Sequence, residues 1–266
     1  PWLLGQPGDL ILEFTDGQTS RRRGGSLVTA ETPRIAILGM GKMGREVDGL
    51  ARERGIEVVA RLDVAEIADR AGALAALKRA QVAVDFTTPD SAVPNIDLCL
   101  DAGCPVVVGT TGWYGDLAHV RHRVERRGGA LLWAPNFSLG VAIVRALCAR
   151  AGELLRGVEG YAVHLTETHH AQKKDAPSGT ALLLRDALAS SGREVEITSI
   201  RTGSVPGRHE VAIDGAYEQI VISHDVSNRR VFADGALRAA LWLRGKKGVY
   251  TMDDVLGLDV RGRGTS

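Results

Sequence analysis

The sequence predicts an α/β protein: a Rossmann-type parallel-sheet nucleotide-binding domain plus a smaller α+β domain with an open mixed sheet. Three observations predict it. An apolar strand at residues 34–38 runs directly into Gly39-Met40-Gly41-Lys42-Met43-Gly44 and a helical pattern, the order a dinucleotide fold requires. Short apolar strands then alternate with helical segments as far as Ser138, as parallel strands with crossover helices do. From about residue 139 a long helix gives way to several strand-like segments between turns, which marks a separate unit.

The chain has 266 residues, enough for two such domains. Residues 1–33 form an extension without an assigned role. Residues 34–138, with about 233–260, make the dinucleotide-binding domain, and residues 139–232 the substrate-binding domain. Lysine and arginine total 33 against 32 acidic residues, so no global field draws the chain to nucleic acid or an anionic membrane. The expected partners are small molecules or copies of the chain itself. Cys99, Cys104 and Cys148 are odd in number and lack a framework spacing, which fits a reducing cytoplasm. No apolar run approaches the roughly eighteen residues that span a bilayer. A soluble, cytoplasmic protein is expected.

In the extension, Leu10-Ile11-Leu12-Glu13-Phe14 is one apolar run and Arg21-Arg22-Arg23-Gly24-Gly25 a basic stretch. A secretory leader needs a basic start and a longer apolar segment, and Asp9, Glu13 and Asp16 argue against a transit peptide. The segment reads as a strand or hairpin at a domain edge, or as an addition outside the fold.

Each glycine of the first loop has a mechanical reason: a tight turn, close approach to a pyrophosphate, and close helix-to-strand packing. Asp63 closes the next strand, 57–63, about twenty residues on, where such folds place a carboxylate for the ribose hydroxyls. Lys42 either reaches a phosphate or is a solvated side chain. Strands at 82–89, 105–112 and 130–138 end in small or hydroxyl-bearing residues, with helices at 91–102 and 115–127 between them. Parallel strands bring their carboxyl ends to one crevice, so Phe86-Thr87-Thr88, Gly109-Thr110-Thr111 and Ala134-Pro135-Asn136-Phe137 are expected to line it and flank a nicotinamide ring. Taken singly, each also reads as an ordinary strand-to-helix turn.

A helix at 140–155 links to the second unit, where a strand at 161–167 leads into E-T-H-H-A-Q-K-K-D-A-P-S-G-T-A at 167–181. Pro177 and Gly179 break regular structure, and a helix is expected from Thr180 to about Ser191. Its first turn offers unpaired N–H groups beside the Ser178 and Thr180 hydroxyls, which makes an anion site. Lys173 and Lys174 add positive charge, and His169 and His170 can exchange a proton near neutral pH. The set suits a small dianion that must be protonated, although a polar loop with an ordinary N-cap has the same composition. Paired histidines are also a metal cue, but no cysteine lies nearby and no third ligand stands at a typical spacing, so no metal is expected. Segments 195–201, 209–214, 217–224 and 229–232 read as antiparallel strands, 235–243 as a helix and 252–256 as a short closing element.

With these residues in view, the chain resembles the dihydrodipicolinate reductases of bacterial lysine biosynthesis over about residues 34–258. The resemblance rests on H-H-x-x-K-x-D-A-P-S-G-T-A, D-F-T-x-P, V-x-G-T-T-G, A-P-N-F-S and R-x-F-A-x-G-A-x-x-A-x-x-W. It implies that His169 donates the proton, that Lys173 is a second essential cation, and that His170, Ser178, Gly179 and Thr180 hold the substrate carboxylates. It places the cofactor on Gly39 to Gly44 and Asp63, with Phe86, Gly109 to Thr111 and Ala134 to Phe137 near the nicotinamide, and it implies a homotetramer built through the second domain's sheets. The family's first loop reads G-x-x-G-R-M-G, whereas this chain has the shorter G-M-G-K-M-G. Val64 follows the ribose acid where some members carry a basic residue for a 2′-phosphate. NADH is therefore favoured over NADPH, with Arg61 and Lys42 keeping dual use open.

The chemistry so implied is hydride reduction of a cyclic unsaturated imine dicarboxylate, with His169 kept charged for donation by Glu167, Asp175 or the substrate. Two rival readings are an amino-acid or semialdehyde dehydrogenase on a similar frame and an NAD-binding protein without turnover.

Overall fold

The computed structural model describes residues 32–258 together with two short strands that precede them. Those strands, β1 (Ser20–Arg21) and β2 (Val28–Thr29), pair antiparallel, so part of the extension is a hairpin; Leu10–Phe14 lies outside the described residues. Then follow β3 (Arg34–Leu38), α1 (Lys42–Glu53), β4 (Glu57–Leu62), α2 (Val64–Ala68), α3 (Arg70–Leu77), β5 (Val82–Asp85), α4 (Pro89–Ala102) and β6 (Val106–Val108). A 3₁₀ turn leads to α5 (Leu117–Arg126), β7 (Ala130–Trp133), α6 (Leu139–Leu155), β8 (Tyr161–His169) and α7 (Gly179–Ala187). The chain closes with β9 (Glu196–Arg201), β10 (Arg208–Gly215), β11 (Gln219–Asp225), α8 (Arg230–Leu243), β12 (Gly248–Tyr250) and α9 (Met252–Val255).

Six strands form one parallel sheet in the order β12-β7-β6-β5-β3-β4. Its central strands are buried along nearly their whole length, because helices cover both faces and leave no polar side to alternate with. Val47, Leu50 and Ala51 of α1 and Ala236, Leu237 and Ala240 of α8 close one face, where α8 meets the strands through its small residues. Leu77, Ile96, Val120 and Val124 of α3, α4 and α5 close the other. A side chain on Gly235 would meet the Phe137 carbonyl at 1.7 Å, so glycine lets α8 lie directly against the end of β7.

The second sheet runs β11-β10-β8-β9. The β11–β10 and β10–β8 pairs are antiparallel, but β9 lies parallel to β8, which corrects the antiparallel reading of 195–201. The reason is α7, which crosses between the two strands and returns the chain in the same direction. Segment 229–232 is also not a strand: Arg230, Val231 and Phe232 form the first turn of α8. Their β-branched and aromatic character misleads because Val231 and Phe232 sit beside the rest of the helix's apolar stripe. The short strand β12 had no sequence signal and gains its place by pairing with β7. Val144, Cys148, Leu184 and Leu188 of α6, α7 and the turn beyond pack on Leu165, Val211 and Ile213, so one sheet face is covered by helices.

Candidate active site

The carboxyl ends of the parallel strands carry the glycine loop. Gly39 adopts φ 84°, and a side chain there would meet the Phe86 carbonyl at 2.6 Å; at Gly44 it would lie 1.9 Å from the Gly39 carbonyl. At Gly41 it would meet nothing within 4 Å, and Gly41 starts α1 without any side-chain cap. The loop therefore packs tightly at its first and last glycines. At its middle one it offers open space and unclaimed helix-start N–H groups, which fits a pyrophosphate. Met40 and Met43 are half-buried on the core beneath, and Lys42 is exposed on the helix start. Gly39 N–H donates to the Leu62 carbonyl at 2.8 Å, which brings exposed Asp63 alongside the loop. Asp63 also begins α2 in a capping box with Glu66.

The next strand ends are organised by Asp85, which is fully buried. Its carboxylate accepts from Thr87 N–H and Oγ1, Thr110 Oγ1 and Asn95 Nδ2, all within 2.9 Å. Burial raises its pKa and these donors offset part of the rise. The Thr110 hydroxyl is thus committed to the scaffold rather than turned to a ligand, while Thr111 is exposed. The Phe86 ring fills the space over Gly109, whose missing side chain would collide with it at 2.0 Å, and meets Phe137 edge-on. Ala134 and Phe137 are buried in the core, leaving Pro135 and Asn136 of that segment accessible.

In the second unit, β8 alternates strictly: Val163, Leu165, Glu167 and His169 face the helices. The first two join the apolar core, and the last two place a carboxylate and an imidazole at the strand's end. Register fixes their neighbours, with His209 opposite Glu167 on β10 and Arg201 opposite His169 on β9. Glu167 contacts His169 Nδ1 through Oε2, and its Oε1 accepts from Arg201 at 2.6 Å and from Ser178 N–H at 3.3 Å. Burial alone would raise the Glu167 pKa, but donors from Arg201, Ser199 and His169 hold it at about 2. An ionised carboxylate can only accept, so Nδ1 of His169 carries the hydrogen and the lone pair of the neutral ring is on Nε2. Nε2 faces Gly207, where a side chain would stand 3.1 Å away.

Burial lowers the His169 pKa; Glu167 pulls it back up, and Lys173 and Arg201 push it further down, leaving it below the usual value. The expectation that nearby carboxylates keep it charged therefore fails for the free protein, because desolvation and two cations outweigh one carboxylate. His209 is buried, bonds Ser178 Oγ through Nε2 at 3.2 Å and is pushed down to about 4, mainly by burial. It supplies the third potential metal ligand that sequence spacing did not offer: ligand atoms of Glu167, His169 and His209 lie within 4.8 Å of one another. Arg201, Ser178 and His169 already satisfy the Glu167 oxygens.

Ser178 caps α7 by accepting from Ala181 N–H; exposed Gly179 and half-buried Thr180 open that helix. Lys173 pairs with Asp175 at 2.7 Å, Lys174 is exposed, and His170 is half-buried where β8 ends. Asn136 Nδ2 donates to Thr180 Oγ1 at 3.3 Å. This bond joins the crevice of the parallel sheet to the first turn of α7 in the second unit. Arg201, His209 and Asp85 were not foreseen as site residues. Asp85 and Arg201 end β5 and β9, and His209 lies at the start of β10, positions present in the sequence but mute without register.

A glycine loop of dinucleotide-binding form, joined through the Asn136–Thr180 bond to a unit that carries a buried imidazole–carboxylate pair, marks a two-unit nucleotide-dependent oxidoreductase. The chain belongs to the dihydrodipicolinate reductase family: residues 33–137 match the family's N-terminal model and residues 140–256 its C-terminal model. It is 35% identical over 239 residues to the 4-hydroxy-tetrahydrodipicolinate reductase of Christiangramia forsetii, covering 84% of this chain and 97% of that protein. It is 36% identical to the enzyme of the same name from Thiobacillus denitrificans, covering 85% and 98%. The dipicolinate-bound dihydrodipicolinate reductase of Paenisporosarcina sp. TG-14 shares the fold, with a TM-score of 0.70 at 23% identity over 83% of this chain and 97% of that one.

Proposed function

We propose that this protein reduces 4-hydroxy-tetrahydrodipicolinate, by way of the dihydrodipicolinate it gives on loss of water, to tetrahydrodipicolinate with NADH or NADPH, in the diaminopimelate route to lysine. Family membership supports the reaction. The observation that carries the site is the Asn136–Thr180 bond, which joins the strand-end crevice to the first turn of α7 and so supports a nicotinamide lying next to substrate carboxylates. The nicotinamide, with its dinucleotide held by Gly39 to Gly44 and Asp63, supplies the hydride.

The chain's own residues do the rest. Ser178, Gly179, Thr180 and His170 hold the substrate carboxylates at the start of α7, and Lys173 adds an ammonium charge that also favours negative charge as it develops. A bound dianion raises the His169 pKa, offsetting the burial and cations that lower it in the free protein. Nε2 then carries a proton that it gives to the substrate carbon next to the site of reduction, while Glu167 holds Nδ1–H.

Exposed Val64, at 82%, follows Asp63 and offers no charge for a 2′-phosphate, and Arg61 is engaged by Asp48 at 2.5 Å. This supports NADH as the preferred cofactor, with Lys42 the remaining candidate cation. The open face of the second sheet supports a homotetramer, and the lack of a helix long and apolar enough to cross a membrane among the described residues is compatible with a cytoplasmic enzyme. Residues 34–138 with 233–260 would then bind the dinucleotide, and 139–232 the substrate.

The test is an assay coupled to the synthase that generates the substrate, run with NADH and NADPH in parallel. Oxidation of either cofactor only when synthase product is present supports the reading. Tight cofactor binding without oxidation sinks it.

A further inference from the structure

The proposed reaction leaves one largely buried cation without a role. Arg201 ends β9 in register with His169, and its side chain is 17% exposed. Its Nη2 donates to Glu167 Oε1 and to the Asp175 carbonyl, both at 2.6 Å, and Nη1 donates to the Ile200 carbonyl at 2.8 Å. The Asp175 carboxylate in turn accepts from Lys173 at 2.7 and 2.8 Å. Two further backbone bonds tie the same loops together, Thr202 N–H to the His169 carbonyl and Ala171 N–H to the Gly203 carbonyl. One guanidinium therefore grips both the carboxylate that receives Nδ1–H of His169 and the loop that carries Lys173.

We propose that Arg201 is the positioning residue of this site, setting the His169 tautomer through Glu167 and the place of Lys173 through Asp175. It acts at a distance from the substrate, through groups that touch it. A planar fork suits this task because it reaches several acceptors in fixed directions, which a single ammonium group cannot reproduce. The charge matters as well as the shape. Glu167 is completely buried, and without a cation it would take up a proton more readily, lose its acceptor-only character and release the imidazole to either tautomer.

The inference rests on the proposed reductase reading, so its experiment has one arm outside activity. The full chain is prepared as wild type, Arg201→Lys and Arg201→Met. Imidazole nitrogen NMR of the free proteins should show Nδ1–H at His169 in the wild type and mixed tautomers in both variants. In the coupled assay, kcat should fall about 10²-fold, substrate KM should rise and cofactor KM should stay constant. Removing the cation in Arg201→Met should also move proton uptake by the Glu167–His169 pair to higher pH, and Arg201→Lys should move it less. If Arg201→Met does not fold, Arg201→Lys carries the test through its tautomer and its kcat–KM split.

An unchanged His169 tautomer in Arg201→Lys, or an unchanged pH profile with kcat within about two-fold of wild type, overturns the proposal. A wild type that is inactive toward the synthase product would instead sink the reductase reading, and the NMR arm would still decide Arg201's role.

Discussion

At the scale of single residues, His169 and His209 are both buried imidazoles in one cluster, yet they differ in what faces them. His169 meets a carboxylate on Nδ1 and turns Nε2 toward Gly207, whose lack of a side chain spares that nitrogen a contact at 3.1 Å. His209 is held at about 4 by burial and by its neighbour's charge, so it stays neutral and serves the Ser178 hydroxyl. His169→Gln should lower turnover by about 10²–10⁴-fold, as loss of acid catalysis does, with cofactor affinity measured by fluorescence nearly intact; wild-type turnover in that variant would remove His169 from the mechanism. The His209 pKa has a stability consequence whose sign is fixed. Its folded value lies below the ordinary value near 6.5, so its contribution is complete above that pH and is lost as pH falls toward about 4. Stability should drop by roughly 3 kcal/mol across that window, with His169 acting in the same direction. Urea melts between pH 7 and 4.5 should show the drop in the wild type and a flatter profile in His209→Gln.

Among elements, the β3–α1 connection shows how one loop separates packing from binding. Its outer glycines face backbone at 2.6 and 1.9 Å, whereas Gly41 faces nothing. Gly44→Ala should therefore cost stability of the order of 1–3 kcal/mol, as overpacking does. Gly41→Ala should leave the melting temperature within a degree or two and raise the KM for cofactor. Thermal melts paired with cofactor titration separate the two, and equal melting temperatures for both variants would refute the assignment. The same loop was legible in the sequence because strand, glycines and helix are contiguous. The pairing of β9 was not, since whether a strand lies parallel to its neighbour depends on where α7 returns the chain.

For the whole molecule, α6 and α7 cover one face of the four-stranded sheet, and the other face carries His164, Thr166, Thr198, Ile200, Glu210 and Val221. Ile200 and Val221 are 41% and 49% exposed there. If this face joins copies of the chain, Val221→Asp places a charge in an interface and should shift the mass seen by light scattering from tetramer to smaller species at micromolar concentration. An unchanged mass would show that the assembly uses another surface.

The sequence by itself determined the nucleotide loop, the α/β alternation and the stretch from Glu167 to Ala181, because each is a local pattern read along a contiguous segment. Tertiary structure alone decided that Arg201 and His209 stand beside Glu167, that Asp85 gathers Thr87, Asn95 and Thr110, and that the free His169 is not held charged. Those facts depend on strand register and on the balance of burial against charge. Both arise only when segments tens of residues apart are brought into contact and water is excluded between them.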